Sequence, residues 1–158
     1  MKKIILILTV VSVLVACKSS NSATSTKIDF KSQTAIKGDW KITSVTYPGS
    51  EVIKVTSFDL ADSKCFVGSN WKFVSNNNKG YFELNSPNCT AYTTPITWFI
   101  NKEGQFVLKI LDEAKAKSIK TGYVLSVANQ SEKSFQLVDK INVAGKLTDV
   151  VYQFEKIN

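Results

Sequence analysis

The sequence of 158 residues contains no histidine, and all 20 of its basic residues are lysines, so arginine is absent too. Histidine is the commonest general base and metal ligand, and its absence excludes a Ser-His-Asp triad. Arginine is the preferred side chain for bidentate contacts with phosphates and bases. The lysines are scattered and no glycine-rich phosphate loop occurs. We therefore expect no catalytic site, cofactor or nucleic-acid partner, despite a formal net charge of +7.

Long apolar runs are also scarce, and the one that stands out lies at the N-terminus. Residues 4–15 are almost wholly apolar and follow Lys2 and Lys3. About a dozen residues are too few for a membrane-spanning helix, which needs roughly 20. The order of positive charge, apolar run and small residue, here Ala16, is typical of a secretory signal. We predict that residues 1–16 are a signal peptide.

The end of this run, Leu14-Val15-Ala16-Cys17, resembles the lipobox of bacterial lipoproteins. The resemblance implies that the thiol of Cys17 receives a diacylglycerol, that the signal is cut before Cys17 and that the new amine is acylated. One acyl chain gives only marginal membrane binding, and stable anchoring takes at least two signals. We therefore predict a lipid anchor on Cys17 that holds the protein to a membrane. The alternative is an ordinary cleaved signal that happens to precede a cysteine.

Residues 17–36 have the composition of a flexible tether. They are rich in Ser, Thr, Asn and Lys, with no acidic residue before Asp29. Such a segment buries too little apolar surface to order itself. Lipoproteins that reach the cell surface in Bacteroidetes-like bacteria often carry an acidic run after the cysteine, and none is present here. We therefore predict an outer-membrane anchor in the bacterial cell envelope that faces the periplasm.

Two cysteines remain besides Cys17, namely Cys65 and Cys89. In an oxidising compartment beyond the inner membrane, such a pair predicts a disulfide. The alternative is a metal site. Two thiols without histidine fall short of the four ligands that such a site usually needs, so the disulfide is the stronger prediction and no metal is expected.

From residue 37 onward, the chain consists of short segments with apolar residues at every second position, divided by polar turns. This alternation predicts strands with one buried face. Asn76-Asn77-Asn78-Lys79-Gly80 predicts a hairpin turn, and Asp59–Cys65 predicts a helical turn capped by Asp59 or Asp62.

About eight such strands without a long helix predict an all-β domain, residues 37–158, that folds as an antiparallel up-and-down barrel, since closure removes the exposed edges. A domain of this size buries enough surface to be stable by itself. We therefore expect a monomer.

Several motifs in order strengthen this prediction. Gly38-Asp39-Trp40 resembles the Gly-X-Trp signature of lipocalins. The wider pattern resembles the lipocalin-like domain lipoproteins of Bacteroidetes-type bacteria, with Cys65, Trp71-Lys72-Phe73, Cys89 and Tyr152-Gln153-Phe154-Glu155-Lys156. The resemblance implies a lipocalin-like barrel in which Trp40 plugs one end and Gly38 lets the chain pass close beneath. It also implies that Lys156 replaces the arginine that packs over this tryptophan in many lipocalins.

The aromatic residues of the later strands leave two functions open. They either line a cavity for a small apolar ligand or simply fill the core: Trp98, Phe106, Tyr123, Phe135, Tyr152 and Phe154. In the first case the protein is a lipid-anchored module that binds or carries such a ligand. In the second case it is a structural or protein-interaction module of the envelope with a filled barrel. An interior cavity would favour the first function, and a filled interior would favour the second.

Overall fold

The computed structural model describes residues 30–49, 54–111 and 122–157. The predicted signal peptide and Cys17 lie outside these ranges. Within them, helix α1 (Phe30–Ile36) and a 3-10 helix (Ser63–Phe66) accompany strands β1 (Gly38–Thr46), β2 (Thr56–Ser57), β3 (Ala61–Asp62), β4 (Asn70–Val74), β5 (Lys79–Leu84), β6 (Tyr92–Ile100), β7 (Phe106–Ile110), β8 (Tyr123–Ala128), β9 (Ser134–Val143) and β10 (Lys146–Lys156). Neither helix in these ranges is long and apolar enough to cross a bilayer.

Eight strands form a closed antiparallel barrel in the order β1-β10-β9-β8-β7-β6-β5-β4. From β4 to β10 each strand pairs with its neighbour in sequence, and β1 closes the barrel by pairing with both β10 and β4. The remaining strands, β2 and β3, form a small separate sheet. The predicted all-β, eight-stranded up-and-down barrel is therefore confirmed.

The alternation in sequence explains which side chains form the core. On β4 and β6 every second residue is buried, and these are Trp71 and Phe73 on the first strand and Thr94, Ile96 and Trp98 on the second. Because successive side chains of a strand point to opposite faces, each strand gives one row to the barrel interior. The predicted hairpin turn lies between Val74 and Lys79, where β4 ends and β5 begins.

The lower end of the barrel, where β1 begins, is closed by α1 and Trp40. Ile36 and Trp40 are both fully buried, and Trp40 Nε1 donates a hydrogen bond of 2.7 Å to the carbonyl of Ile36. The indole meets the ring of Phe135 edge-on, with centroids 4.7 Å apart. Lys156 Nζ lies 5.6 Å from the indole centroid, close enough for a cation–π contact.

Two details of this end differ from expectation. Gly38 has φ +130°, and a Cβ there would lie 3.5 Å from Lys156 Cε, an ordinary contact. The backbone conformation, rather than a close passage of the chain, is what requires glycine. In addition, the predicted tether extends to residue 36, whereas residues 30–36 form α1, and the burial of Ile36 makes them part of the folded domain.

Candidate binding site at the upper end of the barrel

Residues 54–69, between β1 and β4, cross the upper end of the barrel, and we call them the lid. Phe58 and Phe66 of the lid are buried, with 4% and 0% of their surface exposed. The Phe58 ring packs edge-on against Tyr123 at 5.2 Å and stacks on Tyr152 at 5.4 Å. Since both tyrosines belong to barrel strands, the Phe58 side chain occupies the mouth of the barrel.

Tyrosine hydroxyls hold the tip of the lid. Tyr123 Oη donates to the carbonyl of Phe58 at 2.7 Å and lies 3.2 Å from Asp59 Oδ2, and Tyr152 Oη donates to Ser57 Oγ at 2.5 Å. Burial raises the pKa of both phenols well above the usual tyrosine range. Both hydroxyls therefore keep their protons, and remain donors, at ordinary pH.

The second half of the lid is fixed more firmly. Cys65 forms a disulfide with Cys89 in the β5–β6 connection, with an S–S distance of 2.04 Å, which confirms the predicted bridge. Gly68 N donates to the carbonyl of Ile42 at 2.7 Å and so joins the lid to β1. The hydroxyls of Tyr47 and Ser63 are also hydrogen-bonded. The lid is therefore covalently held on one side and hydrogen-bonded at its tip.

The tip of the lid has an unfavourable backbone conformation. Phe58 and Asp59 have φ values of +53° and +49°, and the left-handed region costs an ordinary residue about 1–2 kcal/mol. Such residues persist where their surroundings hold them, and they cluster at ligand clamps and switch regions.

The predicted helical turn within Asp59–Cys65 is present, with Asp62 and not Asp59 as its cap. The helical residues are Ser63–Phe66, and Asp62 Oδ1 caps them by accepting from Lys64 N at 2.9 Å. The turn follows the second of the two predicted caps, because Asp59 takes a left-handed conformation instead of starting a helix.

The lower half of the interior is occupied by aromatic rings in mutual contact. Phe73 lies at the centre, and its ring centroid is 5.2–6.4 Å from those of five others, namely Trp71, Trp98, Phe106, Phe135 and Phe154. Trp98 and Phe106 stack with centroids 5.5 Å apart, as Phe135 and Phe154 do at 4.6 Å. A ligand of any size therefore has to enter above these rings.

The residues predicted to line a cavity thus fall into two groups. Trp98, Phe106 and Phe135 surround Phe73 in the lower half, whereas Tyr123 and Tyr152 lie at the mouth around Phe58. Phe58 and Phe66 could not be predicted as site residues, because nothing in the sequence of this connecting segment shows that its aromatic residues fold back into the barrel. The alternation of apolar residues around Phe73 predicts a strand, but it does not show that the Phe73 ring lies at the centre of the interior.

A half-buried carboxyl group also faces the mouth. Asp139 lies on the same face of β9 as Phe135 and Leu137, which point into the barrel. Burial, and then the negative charge of Asp59, raise the pKa of the Asp139 carboxyl. Across the residues with described positions, no three acidic, histidine or cysteine side chains come together as a metal site. Asp139 therefore gives the mouth a polar edge in an otherwise apolar surface.

Comparison with solved structures finds bovine odorant-binding protein. Its complex with its natural ligand is 12% identical, with a TM-score of 0.46 over 78% of this chain and 72% of that chain. Its complex with a selenium-containing odorant is 11% identical, with a TM-score of 0.46 over 80% and 73%. Its complex with undecanal is 11% identical, with a TM-score of 0.45 over 84% and 76%. A search of curated proteins finds no significant match.

The lipocalin-like domain family matches residues 36–137, from the end of α1 to the middle of β9. The matched segment contains Gly38 and Trp40, the lid and both cysteines of the disulfide, and it spans more than half of the sequence. The chain belongs to the lipocalin-like domain family.

Proposed function

We propose that this protein is a monomeric, lipid-anchored binding protein of the bacterial cell envelope. Acyl chains on Cys17 hold it to the outer membrane, and the absence of an acidic run after Cys17 supports the periplasmic side. The upper end of its barrel takes up a small apolar ligand when the lid opens. The lipobox-like sequence supports the anchor, and membership of the lipocalin-like family supports a binding role.

The observation that carries the ligand proposal is the position of Phe58. This apolar side chain, only 4% exposed, fills the mouth of the barrel from a backbone with φ +53°. It occupies the place in which an apolar ligand would be held between the rings of Tyr123 and Tyr152. We infer that Phe58 and the ligand exchange at this place.

The free energies lost and gained when Phe58 leaves the mouth and a ligand takes its place are of similar size. Opening the tip removes the burial of one phenylalanine, about 1.5–3 kcal/mol, and hydrogen bonds of about 1 kcal/mol each. It relieves left-handed strain at two residues, about 1–2 kcal/mol each, and a bound apolar ligand restores the lost burial. Opening is therefore unfavourable without a ligand and close to balanced with one.

The exchange predicts that Phe58→Ala strengthens ligand binding. Removing a competing side chain worth about 1.5–3 kcal/mol should raise the affinity for a fluorescent fatty-acid or isoprenoid probe by about tenfold or more, since 1.4 kcal/mol corresponds to tenfold. Fluorescence titration measures the affinity, and native mass spectrometry shows whether a ligand copurifies. Val67→Ala is the matched control, because Val67 belongs to the lid but is 37% exposed, and it should leave the affinity unchanged.

A second function is favoured by the packing around Phe73, where aromatic rings fill the lower half of the barrel. A protein-interaction or structural module of the envelope needs such a solid barrel and no ligand. If neither the unmodified chain nor Phe58→Ala binds any probe, and if no ligand copurifies, the ligand proposal is wrong and this second function stands.

The anchor predicts that incorporation of a palmitate analogue depends on one residue. Cys17→Ser should abolish labelling, because the thiol of Cys17 is the group that receives the diacylglycerol. Cys65→Ser is the matched control, since Cys65 bonds to Cys89, and it should remain labelled. Metabolic labelling followed by gel fluorescence gives the result, and labelling retained in Cys17→Ser would refute the anchor.

A further inference from the structure

The outer surface of the barrel is apolar on one side. Seven large apolar side chains are exposed in the described part of the chain, and four of them lie on β5–β8 or directly after β7: Tyr81, Phe99, Leu111 and Val124. The outward positions of β9 and β10 are mostly polar, with Gln136, Lys140, Gln153 and Glu155. Exposed apolar residues gathered on one side of a protein mark a contact with a partner.

The first apolar row crosses three strands. Val107 pairs with Phe99 on β6 and with Val124 on β8. It points outward, because Phe106 and Leu108 on either side of it face the interior. Nevertheless only 6% of Val107 is exposed, whereas Phe99 and Val124 are 39% and 48% exposed. The three side chains thus form one continuous apolar strip on the outside of the barrel.

Lysines lie between this strip and a second apolar row. In the second row Tyr81 pairs with Pro95, and Leu111 N donates to the Pro95 carbonyl at 3.0 Å. Between the two rows, Thr97 pairs with a lysine on each side, Lys79 on β5 and Lys109 on β7. We call these two rows and the lysines between them the apolar-lysine face.

The predicted tether reaches the domain beside this face. Helix α1 packs against β6, the strand that runs through the face. Residues 18–29 separate Cys17 from α1, and a flexible chain of this length has an end-to-end distance of about 20 Å. The acyl chains would therefore keep the apolar-lysine face within reach of the bilayer surface.

We propose that the apolar-lysine face lies on the surface of the bilayer that holds the acyl chains of Cys17, and that its lysines contact anionic lipid headgroups. The composition fits this surface, because tyrosine, here Tyr81, is enriched at membrane interfaces and lysine stems cover apolar surface while their ammonium groups stay in water. Anionic lipids attract basic groups near the surface. The inference rests on the proposed anchor. It orients the barrel on its side, with the lid and the mouth in contact with the aqueous phase.

Tryptophan fluorescence can test the orientation because the three native tryptophans, Trp40, Trp71 and Trp98, are at most 2% exposed. An indole introduced by Phe99→Trp would lie on the face. Leu147→Trp is the matched control, since Leu147 is 70% exposed on β10, away from the face. Each full chain is purified from membranes with its acyl chains. It is then reconstituted into vesicles of phosphatidylcholine and phosphatidylglycerol, with and without brominated acyl chains.

Interfacial side chains lie roughly 5–10 Å deep in the bilayer, where they meet the brominated acyl chains. We therefore expect brominated vesicles to reduce the emission added by Phe99→Trp by at least about twofold. The emission added by Leu147→Trp should not change. Equal quenching at both positions overturns the proposal. If the protein floats with the vesicles but the indole at position 99 is not quenched, the proposed orientation is wrong and the anchor is still supported. Protein that does not float overturns both the anchor and the orientation.

Other occupants of the face give different results. If acrylamide fails to quench the indole at position 99 without vesicles, the face is already covered. A doubled mass in size-exclusion chromatography then identifies a second copy of the chain, and a single mass identifies another segment of the same chain. Either result overturns the membrane contact.

Discussion

Trp40→Ala is expected to lower the free energy of unfolding by about 3–5 kcal/mol, the usual cost of truncating a buried tryptophan. Trp40 is fully buried, its ring packs on Phe135, and its indole N–H donates to the Ile36 carbonyl. The substitution removes the plug and leaves that carbonyl without its donor. Because a domain of this size is stable by only about 5–15 kcal/mol, the loss is a large part of the total.

Urea denaturation followed by far-ultraviolet circular dichroism measures this loss without depending on tryptophan emission. Trp40→Phe keeps a ring but removes the donor, so we expect a smaller loss of about 1–3 kcal/mol. Leu147→Ala is the surface control and should change the stability by no more than about 0.5 kcal/mol. If Trp40→Ala costs no more than Leu147→Ala, the lower end of the barrel does not depend on the plug.

The barrel was predictable from the sequence because the pattern that specifies each strand and turn lies within a few neighbouring residues. Alternation such as Trp71-Lys72-Phe73 assigns a buried face to each strand, and short turns join the strands in order. The disulfide was also predictable, since Cys65 and Cys89 are the only cysteines left after Cys17. Neither prediction requires knowledge of how distant segments pack.

The lid and α1 were not predictable because their positions depend on distant contacts. Phe58 reaches the mouth through its contacts with Tyr123 and Tyr152, 65 and 94 positions later in the sequence. α1 has seven mostly polar residues, and a helix so short is not stable alone. Its place is set by the burial of Ile36 and by the hydrogen bond from Trp40. Local propensity contains no sign of either contact.

Replacing both Cys65 and Cys89 with serine is expected to lower the free energy of unfolding by about 3–4 kcal/mol in the chain-entropy model. The bond closes a loop with a sequence separation of 24, so its loss frees a segment of the unfolded chain that includes the C-terminal end of the lid. In the folded state, the loss also removes the covalent link between the lid and the β5–β6 connection. The tyrosine hydroxyls and the bonds to β1 then hold the lid by themselves.

Two measurements separate these effects. Urea denaturation of the double variant gives the loss of stability, and the unmodified chain treated with a reductant should show the same loss, because the same bond is absent. Amide hydrogen exchange at the tip of the lid, around Phe58, should become faster than exchange in β9 and β10, since the lid opens locally. If stability falls while exchange at the tip stays as slow as in β10, the disulfide stabilises the fold but does not restrain the lid. In that case the Tyr123 and Tyr152 hydroxyls, together with the bonds to β1, are sufficient to keep the mouth closed without the disulfide.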